Sequence, residues 1–256
     1  MRLSILASGS SGNAVLLEAN GTRLLVDCGL STRQILHRME LSGTVPHALD
    51  AVLVTHEHSD HVRGLEVFCR RYPAPLLATC GTAAGLPAGV VPEDLIASGR
   101  EVRFGGLTVT PVATSHDARE PVGFVFDDGT CRVGLVTDTG CVTELLVERL
   151  AECHGLLLET NHDAEMLRYG SYPWYLKQRI ASRTGHLSNE QCRDALERVA
   201  HPGLEVVVGM HLSQENNRPE VAARELRRVL EGSGIRVEVA RQDAPVVVEV
   251  AGPSGV

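Results

Sequence analysis

Thr55-His56-Glu57-His58-Ser59-Asp60-His61 follows directly on the apolar run Ala51-Val52-Leu53-Val54. A short apolar run ahead of a polar cluster reads as a buried strand, so His56, His58, Asp60 and His61 leave it together at its carboxyl end. Imidazole nitrogen and carboxylate oxygen both suit divalent zinc or manganese, and His-x-His-x-Asp-His holds enough donors to divide between two ions. A solvated polar turn has the same composition. The metal reading therefore needs further ligands elsewhere in the chain.

Working outward, Leu3–Ala7, Ala14–Ala19 and Thr22–Val26 read as strands, the last two joined by the hairpin signal Asn20-Gly21. Ser31 is placed to cap a helix running to about Leu41, and Asp50–Thr55 is the strand that delivers the ligand loop. One helix is expected over Val62–Arg71 and a strand over Pro75–Ala78. Strands follow at Leu107–Thr114, Val122–Asp127 and Cys131–Thr137, then a helix at Val142–Glu152 and a strand at Gly155–Glu159. Ala164–Thr184 has a mixed, helical pattern with Tyr169, Tyr172, Trp174 and Tyr175 concentrated in it. Such aromatics stack on bases in some proteins, but packing against the domain body is the commoner cause and is expected here. Ser188 and Gln191 have the capping-box spacing for a helix to about Ala200, whose start at Ser188 and Asn189 is a place for phosphate. Leu204–Met210, a helix at Pro219–Glu231, Arg236–Val239 and Val246–Val250 complete the pattern. Meander, alternation, then meander and alternation again suggest two sheets sandwiched between helices.

The 256 residues show no linker-like composition break, so one domain, 1–256, is expected. The start of the chain lacks the apolar length of a signal peptide and no run reaches membrane-spanning length, which points to the cytoplasm and away from membranes. Seven cysteines without a Cys-x-x-Cys pair argue against a disulfide framework or a thiolate metal site. A formal charge of −8 does not announce a nucleic-acid binder, yet divalent ions would make the site itself cationic.

Three further ligand types sit at strand ends: His116, Asp138 and His211. Each alone would be an ordinary polar residue; together they complete two coordination shells. In this order, with Asp27 in Leu24-Leu25-Val26-Asp27-Cys28-Gly29, the set resembles the metallo-β-lactamase fold superfamily. The resemblance implies an αββα sandwich of two mixed sheets flanked by helices. It assigns His56, His58 and His116 to one ion, Asp60, His61 and His211 to the other, Asp138 between them, and Asp27 to orienting a ligand. Two divalent ions per chain, zinc or manganese, follow.

A narrower similarity runs nearly end to end. Ala7-Ser8-Gly9-Ser10-Ser11-Gly12-Asn13, Ser115-His116-Asp117-Ala118, Glu159-Thr160-Asn161-His162-Asp163, Gly185-His186-Leu187-Ser188-Asn189 and His211-Leu212-Ser213-Gln214-Glu215-Asn216-Asn217 resemble the YycJ/WalJ family. That family is regarded as metal-dependent nucleases similar to exonucleases that work from a 5′ end, linked to DNA repair. A nucleic acid, DNA in the first place and RNA in the second, is the implied partner.

Two cations that share a carboxylate can activate a water and stabilise both oxygens of a phosphodiester exchange. Asp60 enters that chemistry as a catalytic residue as well as a ligand, and Glu159 and His186 are similar in placement to a leaving-group relay in tRNA-processing relatives of this fold. The glycine-serine loop offers Ser8, Ser10 and Asn13 as substrate contacts, beside Ser188 and Asn189. A small-molecule hydrolase acting on an ester, thioester, lactam or cyclic phosphate would use the same dinuclear centre, and fold alone does not separate the two.

Overall fold

The computed structural model describes residues 1–44 and 49–253; residues 45–48, and the last three of the expected 1–256 domain, lie outside the described residues. Two seven-stranded sheets are formed among the described residues. The first is built from β1 (Arg2–Ala7), β2 (Ala14–Ala19), β3 (Thr22–Val26), β4 (Ala51–Leu53), β5 (Leu76–Thr79), β6 (Asp94–Ile96) and β14 (Val246–Glu249), in the order β14-β1-β2-β3-β4-β5-β6. The second is built from β7 (Val102–Phe104), β8 (Leu107–Ala113), β9 (Val122–Asp127), β10 (Arg132–Val136), β11 (Gly155–Glu159), β12 (Val206–Met210) and β13 (Arg236–Val239), in the order β13-β12-β11-β10-β9-β8-β7. Each sheet is an antiparallel meander that continues into parallel strands: β1, β2 and β3 lead into β4, and β7 through β10 lead into β11. Parallel strands need crossovers, and the helices that make them cover the outer faces.

Helices α1 (Thr32–Leu41), α2 (Ser59–Val62), α3 (Leu65–Arg71) and α4 (Cys80–Gly85) occur in the first half, and α5 (Glu144–Leu150), α6 (Ala164–Tyr169), α7 (Trp174–Ile180), α8 (Asn189–Val199) and α9 (Pro219–Leu230) in the second. Three apolar layers hold the sandwich. Leu3, Ile5, Leu17, Leu24 and Leu53 from the first sheet meet Phe124, Phe126, Leu135, Leu157 and Val208 from the second. The alternate residues of the same strands face outward, Leu16 and Leu25 onto Ile35, Leu65 and Phe68, and Leu156 and Val207 onto Leu196 and Leu226. Period-two strands buried on both faces explain why these segments read as nearly continuous apolar runs. The αββα architecture expected from the sequence is thus observed, and all seven cysteines are free. No helix among the described residues is long and apolar enough to cross a membrane.

Three departures from the sequence reading lie in elements beside the site. The helix expected over Val62–Arg71 starts earlier and is broken into α2 and α3 at Arg63-Gly64. Gly64 donates its N–H to Cys28 O at 2.7 Å, and a Cβ there would fall 1.9 Å from Leu30 O, so the chain leaves the helix to pass against residues 28–30. The strand before the ligand loop ends at Leu53, because Thr55 N–H goes to the Asp27 carboxylate (2.9 Å) and not to a neighbouring strand. The aromatic segment does not pack on the body: Tyr169, Trp174 and Tyr175 are 75%, 71% and 73% exposed, and α7 has no buried residue.

Candidate metal centre

The carboxyl ends of β3, β4, β10, β11 and β12 lie at one rim of the sandwich, where parallel strands place binding sites. Strands β3, β10 and β12 are each followed within two residues by a left-handed residue: Asp27 (φ 60°), Asp138 (φ 56°) and His211 (φ 55°). Asn20 in the hairpin turn is the other non-glycine with positive φ among the described residues. An L-residue in this region costs about 1 kcal/mol or more, a strain that clusters at functional sites. Here it ends the strand abruptly and turns a carboxylate or imidazole onto the rim.

The ligand loop is fastened from below. Cys28 N–H donates to His61 O (2.7 Å), and Asn13 N–H to Asp60 O (2.8 Å). Gly29 sits so close that a Cβ would lie 1.6 Å from Asp60 O. These contacts bring the glycine-serine loop, the segment after β3 and the His-x-His-x-Asp-His loop into one unit.

All seven expected ligands converge. Donor atoms of His56, His58 and His116 lie within 4.8 Å of one another, as do those of Asp60, His61 and His211, and those of His56, His61 and Asp138. Asp138 Oδ2 is 3.3 Å from His61 Nε2, and its Oδ1 is 3.8 Å from His116 Nε2 and 3.6 Å from the His211 ring, so the carboxylate stands between the two groups. Glu57, inside the same motif, turns away and accepts from Arg119 N–H.

Three of the rings, His61, His56 and His116, are held by the far nitrogen. His61 Nδ1–H donates to Asp27 Oδ2 (2.7 Å), which also accepts from the Thr55 hydroxyl (2.8 Å). That hydroxyl in turn accepts from His56 Nδ1 (3.1 Å), and His116 Nδ1–H donates to Gly185 O (3.0 Å). The opposite nitrogens face inward, the arrangement that orients metal-binding imidazoles. His56 Nε2, His211 Nε2 and Asp138 Oδ2 are buried without a hydrogen-bond partner. Orphaned polar atoms cost about 1–3 kcal/mol each, so three together fit bound cations. The electrostatics agree. Burial pulls His56 well below the usual histidine value, whereas His211, also pulled down by burial, is pushed up to about 10 by Asp138, Asp60 and Glu159. The carboxylates call for positive charge at this point.

Glu159, fully buried, is an acceptor for four donors: His186 Nδ1 (2.7 Å) and His211 Nδ1 (3.1 Å) on Oε1, Thr139 N (2.9 Å) and Leu187 N (3.2 Å) on Oε2. Burial would raise its pKa, but His186 and the hydrogen bond from His211 hold it at about 2. Burial lowers His186, and Glu159 more than restores it, so the ring sits above the ordinary histidine value.

A cavity of about 250 Å³ opens over the cluster, lined by Ser10, His58, Ser59, Asp60, His116, Asp138, Arg179, His186 and His211. Of the proposed substrate contacts, Ser10 alone lines it. Ser8 is buried and its hydroxyl accepts from His211 N–H (2.7 Å); Asn13 points its amide at His61 Nε2 (3.0 Å) and Asp60 Oδ2 (3.3 Å). Ser188 caps α8, and Asn189 is buried against Asn217. Ser8 and Asn13 thus support expected ligands, whereas Ser188 and Asn189 are engaged in the α8 cap and the Asn217 contact.

Arg179 was not anticipated. Its Nε donates to Asp117 Oδ2 (2.6 Å), the residue after a ligand, and the only sign in the sequence is its place in the aromatic segment. Gln242 was also missed: it holds the glycine-serine loop through Ser11 N–H (2.9 Å) and Gly12 O (2.9 Å) from the far end of the chain.

Residues 22–212 match the Beta-lactamase superfamily domain. The chain is 36% identical over 245 residues to "Exodeoxyribonuclease YycJ" of Bacillus anthracis, covering 93% of this chain and 92% of that protein. It is 40% identical over 228 residues to "Exodeoxyribonuclease WalJ" of Streptococcus pneumoniae serotype 2, covering 86% and 85%. Among solved structures, the metallo-beta-lactamase fold protein YhfI from Bacillus subtilis superimposes with a TM-score of 0.75 at 17% identity, over 97% of this chain and 99% of that one.

Proposed function

Because the chain belongs to the Beta-lactamase superfamily domain family and is a metal-dependent hydrolase, we propose that it is an exonuclease that degrades DNA from the 5′ end. His56, His58 and His116 would hold one divalent ion, zinc or manganese, and Asp60, His61 and His211 a second, with Asp138 shared. Such ions, when bound, supply the charge that makes water a nucleophile at neutral pH and stabilises a phosphodiester under attack.

The chain's own residues do the rest. Asp27 and Thr55 fix the His61 and His56 rings in the tautomer that turns Nε2 inward. Asp60 lines the cavity with its carboxylate held by Asn13. Arg179 and Ser10, at the cavity wall, meet the phosphate from outside. His186 protonates the departing oxygen, and Glu159 keeps the ring charged and oriented.

The observation that carries this reading is the His186–Glu159 pair at 2.7 Å, with His186 lining the cavity, Glu159 buried behind it, and both outside the seven expected ligands. An alkoxide leaving group needs such a proton donor; an activated ester does not. His186→Ala should therefore leave metal content intact and lower turnover of 5′-phosphorylated single-stranded DNA by about 10²–10⁴-fold. A nitrophenyl phosphodiester, whose leaving group is stable as an anion, should lose far less. Equal losses on both substrates would reject the relay, and efficient ester or lactam hydrolysis without any DNA cleavage would favour the small-molecule alternative.

A further inference from the structure

Among the rings around the first ion, the one expected with His56, His58 and His116, His58 differs from its neighbours. Its Nδ1 lies 3.2 Å from His116 Nε2, near the roughly 3.4 Å that separates two nitrogens bound to one ion at about 2.0–2.1 Å in tetrahedral geometry. His58 therefore turns Nδ1 to the ion and Nε2–H away from it. His61, His56 and His116 have their far nitrogens engaged at 2.7, 3.1 and 3.0 Å. For His58, whose side chain keeps 31% exposure, Asp117 Oδ1 stands 4.0 Å from Nε2.

Asp117 is itself held in place. Its other oxygen, Oδ2, accepts from Arg179 Nε at 2.6 Å. The backbone is pinned on either side, because His116 Nδ1–H donates to Gly185 O and Arg119 N–H to Glu57 Oε1. Arg179 thus aims Oδ1 at the histidines. That oxygen is also 3.5 Å from His116 Nε2, the atom that faces the ion. The charge is well placed there: the second ion has Asp60 to itself, whereas the first has three neutral imidazoles and a share of Asp138.

We infer that Asp117 is a positioning residue for the first ion, taking the Nε2–H of His58 on Oδ1 while Arg179 sets the aim of its carboxylate. The inference rests on the dinuclear reading and deepens it, because it gives His58 the kind of partner that the other three rings have. Closing 4.0 Å to a hydrogen bond takes about 1 Å, a small rotation for a half-buried ring. A carboxylate suits the position because both of its neighbours, His58 Nε2–H and Arg179 Nε–H, are donors, and an amide oxygen serves only one of them on its own side.

The test loads the protein with cobalt(II), whose paramagnetism shifts the proton signals of bound imidazoles, and follows the exchangeable N–H signals of the ligand rings by NMR. The His58 Nε2–H signal, assigned by its loss in His58→Gln, should be sharp in the native protein. In Asp117→Ala it should exchange with water and broaden away while the His61 signal stays. By chelator competition, Asp117→Ala should weaken one ion about 10- to 100-fold and leave the other nearly unchanged. Asp117→Asn, which keeps one acceptor, should lose less. Arg179→Ala supplies a sign: charge alone makes removal of a cation tighten metal binding, whereas loss of aim weakens it. A weaker first ion is expected, and an unchanged or tighter one overturns the inference. If the His58 signal ignores Asp117→Ala while His58→Gln still costs an ion, the metal centre stands and the positioning role falls. Complete loss of the first ion in Asp117→Ala at saturating cobalt would make Asp117 a ligand and overturn the inference too. If His58→Gln leaves both ions bound with native affinity, the ligand set is wrong and the dinuclear reading falls with it.

Discussion

Replacing Asp27 by asparagine changes one atom of a buried carboxylate and should loosen the metal centre without touching a ligand. The native carboxylate accepts three hydrogen bonds, from Thr55 N–H (2.9 Å), the Thr55 hydroxyl (2.8 Å) and His61 Nδ1–H (2.7 Å). Asparagine keeps an acceptor for Thr55 N–H but sets an amide N–H₂ against the other two donors. The hydroxyl can rotate. The imidazole can answer only by moving its proton to Nε2, the atom that faces Asp138 at 3.3 Å and Asp60 at 3.6 Å and that would otherwise offer its lone pair to a cation. Losing an orienting partner of this kind costs about 10- to 100-fold in metal affinity, or about 1.4–2.7 kcal/mol. His116 is oriented by a backbone carbonyl instead, so ions held with it should be affected less. Competition against a chromophoric chelator measures the affinities, and melting at saturating metal checks that the fold persists. Affinities unchanged within twofold would refute the claim that Asp27 sets the His61 tautomer.

Two other perturbations probe the frame. Gly29→Ala places a methyl 1.6 Å from Asp60 O and 2.6 Å from Asn13 N. It should cost about 3 kcal/mol or more, and lower metal content with it. Gly21→Ala, at φ +81° with nothing within 4 Å, should cost only the left-handed strain of about 1–2 kcal/mol. Equal melting temperatures for the two variants would contradict the close approach. His162 supplies a pH test. Burial lowers its pKa from 6.5 to about 4, so the native state refuses a proton that the unfolded chain accepts. Its contribution is intact above pH 6.5 and falls as the pH drops toward 4, by about 1.3 kcal/mol between pH 7.5 and 5.5. The stability difference between the native protein and His162→Gln should change by that amount over the same interval; a constant difference would show that His162 is not buried neutral.

Much of this was legible because the informative residues are close in sequence. His56, His58, Asp60 and His61 share one loop, and β3, β11 and α8 were read to within a residue or two because apolar runs and the Ser188–Gln191 capping box are local signals. His116, Asp138 and His211 are single residues after strands and gained meaning only from their order. Contacts across the chain left no such trace. Gln242 secures a loop some 230 residues away, and Ser8 looked like a substrate contact because nothing nearby shows that its hydroxyl supports His211. Residues 80–104 hold α4, β6 and β7, pieces of three to six residues too short for a period to register, with β6 largely exposed. The exposed aromatics show another limit: composition marks a helix as aromatic but not whether a neighbour exists to cover it.

The central claim is that a metal-loaded centre cleaves DNA from the 5′ end. The measurement is a time course on single-stranded DNA carrying a 5′ phosphate and a fluorophore at its 3′ end, run with zinc or manganese and again after chelation. The account expects nucleotides released from the 5′ end, labelled products that shorten stepwise, and no reaction once the metal is removed. Shortening from the labelled end, cleavage that survives chelation, or intact DNA in the presence of metal would contradict it.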